Sequence, residues 1–224
     1  MAPTTKPNRL ERRKLATREA ILNVSRELIA TDGIEHLSVN AVADQADVAL
    51  GTFYNYLGDK ASLFRTLAED DCDTMRRAAG SIADGEPPAT RLGWLVGVVA
   101  ARACLDPVFA AYSHEMFRAG HLPHPHIQAE LLWLYRRGVE AGQFTALPEP
   151  VAASVVGALP LGHNGVIARG HIDLPPTEVV AMLVGLALQT LGVEGADRFR
   201  TTEAVMAHDP LSRWPLLLIA TGRR

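Results

Sequence analysis

Cysteine is scarce: Cys72 and Cys104 are the only two in 224 residues. Two thiols make no disulfide framework and fit a reducing interior. Both read as buried, inert groups on apolar helix faces rather than as a redox switch. No amino-terminal apolar run precedes a cleavage site, so no secretory leader is expected. Long hydrophobic runs are missing too. Segments such as Val179–Leu188 are too short to span a bilayer, and no membrane partner is expected. The sequence shows no alternating strand pattern and no internal repeat. It has no Gly-rich phosphate loop, no nucleophile elbow and no paired carboxylates on a helix. Neither an enzyme nor a bound cofactor is expected. These absences point to a cytoplasmic, non-catalytic, all-α protein.

The residues that are present are unevenly spread. Composition is ordinary for a globular chain, 48% hydrophobic with a formal net charge of −3. The first twenty residues nevertheless hold six basic side chains (Lys6, Arg9, Arg12, Arg13, Lys14, Arg18) against Glu11 and Glu19. A basic amino-terminal arm is a polyanion contact or a solvated tail, and the residues after it decide between the two. Ile21, Val24, Ser25, Leu28 and Ile29 repeat with helical spacing up to Gly33. Ser38 caps a short helix with Val42 and Ala43 inward. Ala46-Asp47-Val48 breaks the chain, and "VALGTFYNYLGDKASLF" occupies 48–64. There Phe53 and Leu57 share an apolar face, while Thr52, Tyr54 and Tyr56 lie elsewhere on the helix. Gly58 ends it and Asp59 caps the next, with Lys60 in the first turn, where a cation works against the helix dipole.

Three helices with a tight turn between the second and third meet the needs of a helix-turn-helix, whose second member enters the DNA major groove. Thr17–Phe64 resembles the DNA-binding region of the tetracycline-repressor (TetR) family of bacterial regulators. The resemblance rests on Gly51-Thr52-Phe53-Tyr54 with Tyr56 and Lys60. It implies that Asn40, Leu50 and Gly51 face bases, that Thr52, Tyr54 and Tyr56 contact phosphates or base edges, and that Lys60 meets the phosphate backbone. At that helix start the dipole also suits an anion. The chain departs from the family pattern at Asp47, where Gly is frequent, and at Ala49, where a Ser or Thr cap is frequent. Leu50 cannot donate a hydrogen bond but can read a thymine methyl.

The rest also reads as helical. A helix from Asp59 to Ala79 carries Phe64, Leu67, Ala68, Cys72, Met75 and Ala79 on one stripe and bridges two domains, 1–60 and 61–224. "SIADGEPP" (81–88) is a loop. Further helices are expected over Arg91–Leu105, from Pro107 to near Gly120, from Ile127 to near Gly142, and over Val151–Arg169 and Pro176–Leu191. The end, "RWPLLLIATGRR", is a packed coil or a helix broken by Pro215. The resemblance implies a cavity for a small, largely apolar effector, and the candidate lining residues are Trp94, Arg102, Phe109, Tyr112, His114, Met116, Phe117, Trp133 and His163. The plainer reading is a filled core. Val151–Ala168 and Val179–Leu191 carry no charge, which predicts burial on nearly all sides. The resemblance implies a homodimer through these helices. His114, His121, His124 and His126 could hold zinc or copper, but the last three fall in a Pro-rich connection and no metal is expected. The expected function is a repressor released from a palindromic DNA operator by its effector. The alternative is a helical small-molecule-binding protein that no longer binds DNA.

Overall fold

The computed structural model describes residues 8–80, 82, 85–121 and 125–213. Lys6, His124 and the segment from Trp214 onward lie outside the described residues, as does the side chain of His126. Among the described residues there are ten helices and no strand. The chain divides into two compact units, Met1–Leu67 and Ala68–Arg224.

The first unit holds α1 (Arg9–Asp32), α2 (Val39–Gln45), α3 (Leu50–Leu57) and the first turns of α4 (Lys60–Ala79). Ile21, Leu22, Ile29, Val42, Phe53, Leu63 and Leu67 are fully withdrawn from solvent and form its core. Each buried Leu, Ile or Phe contributes about 1.5–3 kcal/mol, and this burial holds short helices that would be marginal alone. One element differs from the sequence reading. The basic arm from Arg9 onward is not a tail but the opening turns of α1. A capping box sets its start: the Glu11 N–H donates to Asn8 Oδ1 at 2.9 Å, and the Asn8 N–H donates to Glu11 Oε2 at 2.7 Å. Two otherwise orphaned donors are thereby satisfied.

The second unit holds the rest of α4 with α5 (Pro88–Leu105), α6 (Pro107–Arg118), α7 (Pro125–Glu140), α8 (Glu149–Ala168), α9 (Pro176–Thr190) and α10 (Gly195–Ala207). Helix α5 is its centre and packs against α6, α7, α8, α9 and α10. That explains why nearly every residue from Ala89 to Ala103 is buried. Its apolar cluster joins Leu92, Leu95 and Val96 to Leu134, Leu183, Val184 and Leu188. Asp106 caps α6 by accepting the Phe109 N–H at 3.0 Å, with Pro107 at the first helical position. Helix α10 has no counterpart in the sequence reading, because it is polar and buries only Val205.

Two expectations are corrected. Helix α8 is long and apolar enough to cross a membrane by length and composition. The sequence obscures this because Pro160, His163 and Asn164 interrupt its apolar residues. Here α8 packs against α5, α6, α7 and α9 instead. Nor are α8 and α9 buried on nearly all sides: Val151, Met182 and Leu186 are exposed.

Candidate functional site

The candidate site of the first unit is built from α2, a turn and α3. Ser38 Oγ accepts the Ala41 N–H at 3.1 Å and starts α2. The chain then reverses through a bond from the Val48 N–H to Ala43 O at 3.0 Å, with Asp47 left-handed at φ 51°. Asp tolerates that region better than most residues, so the turn forms without the glycine. Helix α3 starts on backbone alone: no side chain caps it, and Ala49 O accepts from Thr52 and Phe53. Gly58, at φ 76°, closes α3, and Asp59 Oδ1 accepts the Ser62 N–H at 2.7 Å to open α4. The hydrogen bonds from Ser62, aided by Arg65, hold the Asp59 carboxyl below its ordinary range.

These local choices fix which groups face out. Phe53 and Leu57 turn inward. Leu50, Gly51, Tyr54 and Asn55 form the exposed face, with Thr52 and Tyr56 half-buried at its flanks. Asn40 is exposed at the start of α2. Lys60 is half-buried, its Nζ 5.8 Å from the Phe64 ring centroid. Sequence reasoning missed Asn55, although it stands four residues after Gly51 and hence beside it. Its amide can pair bidentately with adenine in a major groove. A Cβ added at Gly51 would meet nothing within 4 Å among the described residues. Internal packing therefore does not require this glycine, and its effect is to keep the outer face of α3 low.

In the second unit, two of the candidate effector residues, Arg102 and Tyr112, converge on a carboxylate that sequence reasoning also missed. Arg102 pairs with Asp71 at 3.1 Å, and Tyr112 donates its hydroxyl to the other Asp71 oxygen at 3.1 Å. The Arg102 guanidinium lies 3.5 Å from the Phe109 ring centroid. Arg102, Phe109 and Tyr112 are all buried. Spacing could not have revealed Asp71, which is thirty-one residues from Arg102.

A second polar seam joins α6 to α8. Ser113 donates to Ala110 O at 3.2 Å and accepts from Asn164 Nδ2 at 2.8 Å. Asn164 is fully buried, and its Oδ1 finds no hydrogen-bond partner among the described residues; nor does His114 Nδ1. The His114 ring lies flat against Gly165, where a Cβ would come within 2.5 Å of it. His163 contacts Leu159 O through Nδ1 at 2.9 Å, Met116 is buried and Phe117 is half-buried. The remaining two candidates sit apart. Trp94 packs with Ala78, Ile82 and Val98 and donates its indole N–H to Ala78 O at 2.9 Å. Trp133 is exposed, flanked by the Arg91 and Arg137 guanidiniums. No group of three or more metal-ligating side chains occurs among the described residues.

Known proteins resemble this chain in part of its sequence and in its fold. Residues 21–67 match the family model for bacterial regulatory proteins of the tetR family. The HTH-type transcriptional repressor KstR of Mycobacterium tuberculosis is 35% identical over 85 residues, covering 36% of this chain and 37% of the relative. The match thus spans well under half the length of that curated relative. A crystal structure of a gamma-butyrolactone receptor (ArpA-like protein) superposes with a TM-score of 0.63 at 20% identity, over 88% of this chain and 98% of that one. The structure of RolR in complex with resorcinol does so with a TM-score of 0.55 at 17% identity, over 87% and 95%. At such identities the structural likeness establishes the fold. Among the described residues every regular element is a helix, and α2 and α3 flank the tight turn of a helix-turn-helix. The similarity to the tetR family of bacterial regulatory proteins is carried by residues 21–67, the part that holds α2 and α3.

Proposed function

We propose that the protein is a cytoplasmic transcriptional repressor whose homodimer binds a palindromic operator and leaves it when a small, largely apolar effector binds. The observation that carries the DNA-binding reading is the outer face of α3. Its Leu50, Gly51 and Tyr54 are solvent-exposed on a helix with no packing reason for the glycine. In this reading residues 1–60 hold the DNA. Asn40, Leu50 and Gly51 face bases, Thr52, Tyr54 and Tyr56 reach phosphates or base edges, and Lys60 anchors the phosphate backbone. Residues 61–224 hold the effector and the second subunit, and α4 links the two functions along its length. The KstR match, a repressor by name, supports regulation by repression. The RolR complex carries a small molecule on the same fold. In this chain Arg102, Phe109, Tyr112, His114, Met116, Phe117 and His163 remain candidates for the effector site. Trp94 and Trp133 fit it less well, one being in a separate filled cluster and the other exposed.

The test is to select bound duplexes from a random DNA pool and then screen compounds for release of the selected sequence. Recovery of an inverted repeat, and its release by a small molecule, is the expected result. A chain that retains no duplex is instead the helical small-molecule-binding protein that has lost DNA.

A further inference from the structure

The seam between α6 and α8 holds two polar atoms that the chain itself does not satisfy. Asn164 is fully buried. Ser113 Oγ engages one atom of its amide, Nδ2, at 2.8 Å, while the other, Oδ1, has no hydrogen-bond partner among the described residues. On the facing helix His114 Nδ1 is itself buried and equally unpartnered. The close approach of Gly165 seats the His114 ring: a Cβ at Gly165 would fall 2.5 Å from its Cε1 and Nδ1. Ser113 and His114 are consecutive on α6, and Asn164 and Gly165 on α8, so both orphaned atoms belong to one helix–helix contact. The surroundings are apolar. Met116 is buried and Phe117 half-buried one turn along α6 from Ser113, and Ile167 is half-buried one turn along α8 from Asn164.

A buried donor or acceptor left unpaired costs its full desolvation, and an apolar side chain of the same shape would avoid that cost. A partner from outside the chain removes it as well. We propose that Asn164 and His114 are the polar anchors of the effector site, and that the effector is a neutral, apolar molecule carrying a hydroxyl group. The inference rests on the effector reading above and narrows it to a chemical class. A hydroxyl donates its proton to Asn164 Oδ1 and accepts from His114 when Nδ1 carries the ring proton, so it has an answer for each atom. An ether or ketone oxygen has no proton to give Oδ1. A carboxylate would set its own lone pairs against those of Oδ1, and a hydrocarbon would leave both atoms unpaired. An apolar lining with few polar groups is also the usual make-up of a small-molecule site.

The test uses the full chain and probe pairs of similar size in which a methyl group replaces the hydroxyl: phenol and toluene, cyclohexanol and methylcyclohexane, 1-naphthol and 1-methylnaphthalene. Calorimetry gives affinities for the wild type, Asn164→Leu, His114→Phe and Ser113→Ala, and circular dichroism checks that each is folded. The wild type is expected to favour the hydroxyl member of at least one pair by about tenfold or more, the order of one hydrogen bond to an otherwise unpaired buried group. Asn164→Leu is expected to bring that ratio close to one. His114→Phe, which keeps a ring against Gly165, is expected to reduce it, and Ser113→Ala to keep it, because Oδ1 remains. No hydroxyl preference in the wild type, or a preference that survives in Asn164→Leu, overturns the assignment. If Asn164→Leu does not fold, a preference unchanged in His114→Phe overturns it instead. Release of the selected operator is scored separately with the same probes. Hydroxyl preference without release counts against the effector reading alone, whereas release without hydroxyl preference removes these anchors and leaves the repressor reading standing.

Discussion

Gly51 shows how much one residue can report. A glycine inside a helix costs about 1 kcal/mol relative to alanine, and here no described neighbour occupies the space a Cβ would take. Gly51→Ala should therefore raise the melting temperature, while Gly51→Leu keeps the fold and lifts the outer face away from DNA. Loss of DNA affinity in a fully folded Gly51→Leu protein is the expected result; wild-type affinity would show that α3 does not approach DNA at this point. Two neighbours separate anchoring from reading. Lys60→Ala should weaken binding to every duplex and flatten the salt slope by about one unit. Leu50→Ala should relax preference at one operator position with little change in slope. In the second unit, Arg102→Met leaves the Asp71 carboxylate without its guanidinium. Because Asp71 keeps some exposure to water, the destabilisation should fall at or below the low end of the roughly 3–5 kcal/mol seen when a buried pair is broken. Chemical denaturation measures it.

At the scale of elements, the seam between α6 and α8 is the tightest functional candidate. A Cβ on Gly165 would intrude on the His114 ring, so Gly165→Ala should cost about 1–3 kcal/mol by overpacking. His114→Ala in the same chain should recover most of it; no recovery would mean the strain lies elsewhere. The start of α4 predicts a pH effect. The Asp59 carboxyl is held below its ordinary range by Ser62, so its contribution is complete above the unfolded pKa and is lost as pH falls through the lower folded one. Asp59→Asn should flatten that acid limb in a pH series of melting curves. Much of this level was legible in the sequence: Ser38, Asp59 and Asp106 each mark a helix start through a side chain that must cap it. The illegible parts have physical causes. The capping box of α1 sits in a charged stretch that reads equally as a tail, and α10 buries too little to show an apolar stripe. The Asp71–Arg102–Tyr112 cluster joins α4, α5 and α6, and only tertiary packing brings such distant positions together. The α3 face was readable because one short helix carries it, and Asn55 could have been added from its spacing to Gly51.

For the whole molecule, the proposed homodimer is tested at the exposed apolar groups of α8 and α9. Val179–Leu191 has no charged residue, yet Met182 and Leu186, one turn apart, are exposed. On α8 Val151 is exposed, and Val155 and Leu159 are only half-buried along the same face. Apolar groups gathered on one region of a water-facing surface mark an interaction site more often than chance. A second copy is the occupant that would also place two recognition helices on an inverted repeat, since a two-fold dimer mirrors a two-fold operator. Met182→Glu/Leu186→Glu should set like charges across such an interface, and Gly185→Arg should wedge the same helix from a position where an added Cβ would meet only Thr202 Oγ1, at 3.8 Å, among the described residues. Both variants should stay helical, run as monomers in light scattering and bind operator about 100-fold more weakly or worse, because each head then binds without the effective concentration its twin supplied. A wild type that is monomeric at the concentrations where it binds operator would sink the dimer outright. Variants that remain dimeric would move the interface off α9, leaving Met182 and Leu186 for another surface to explain.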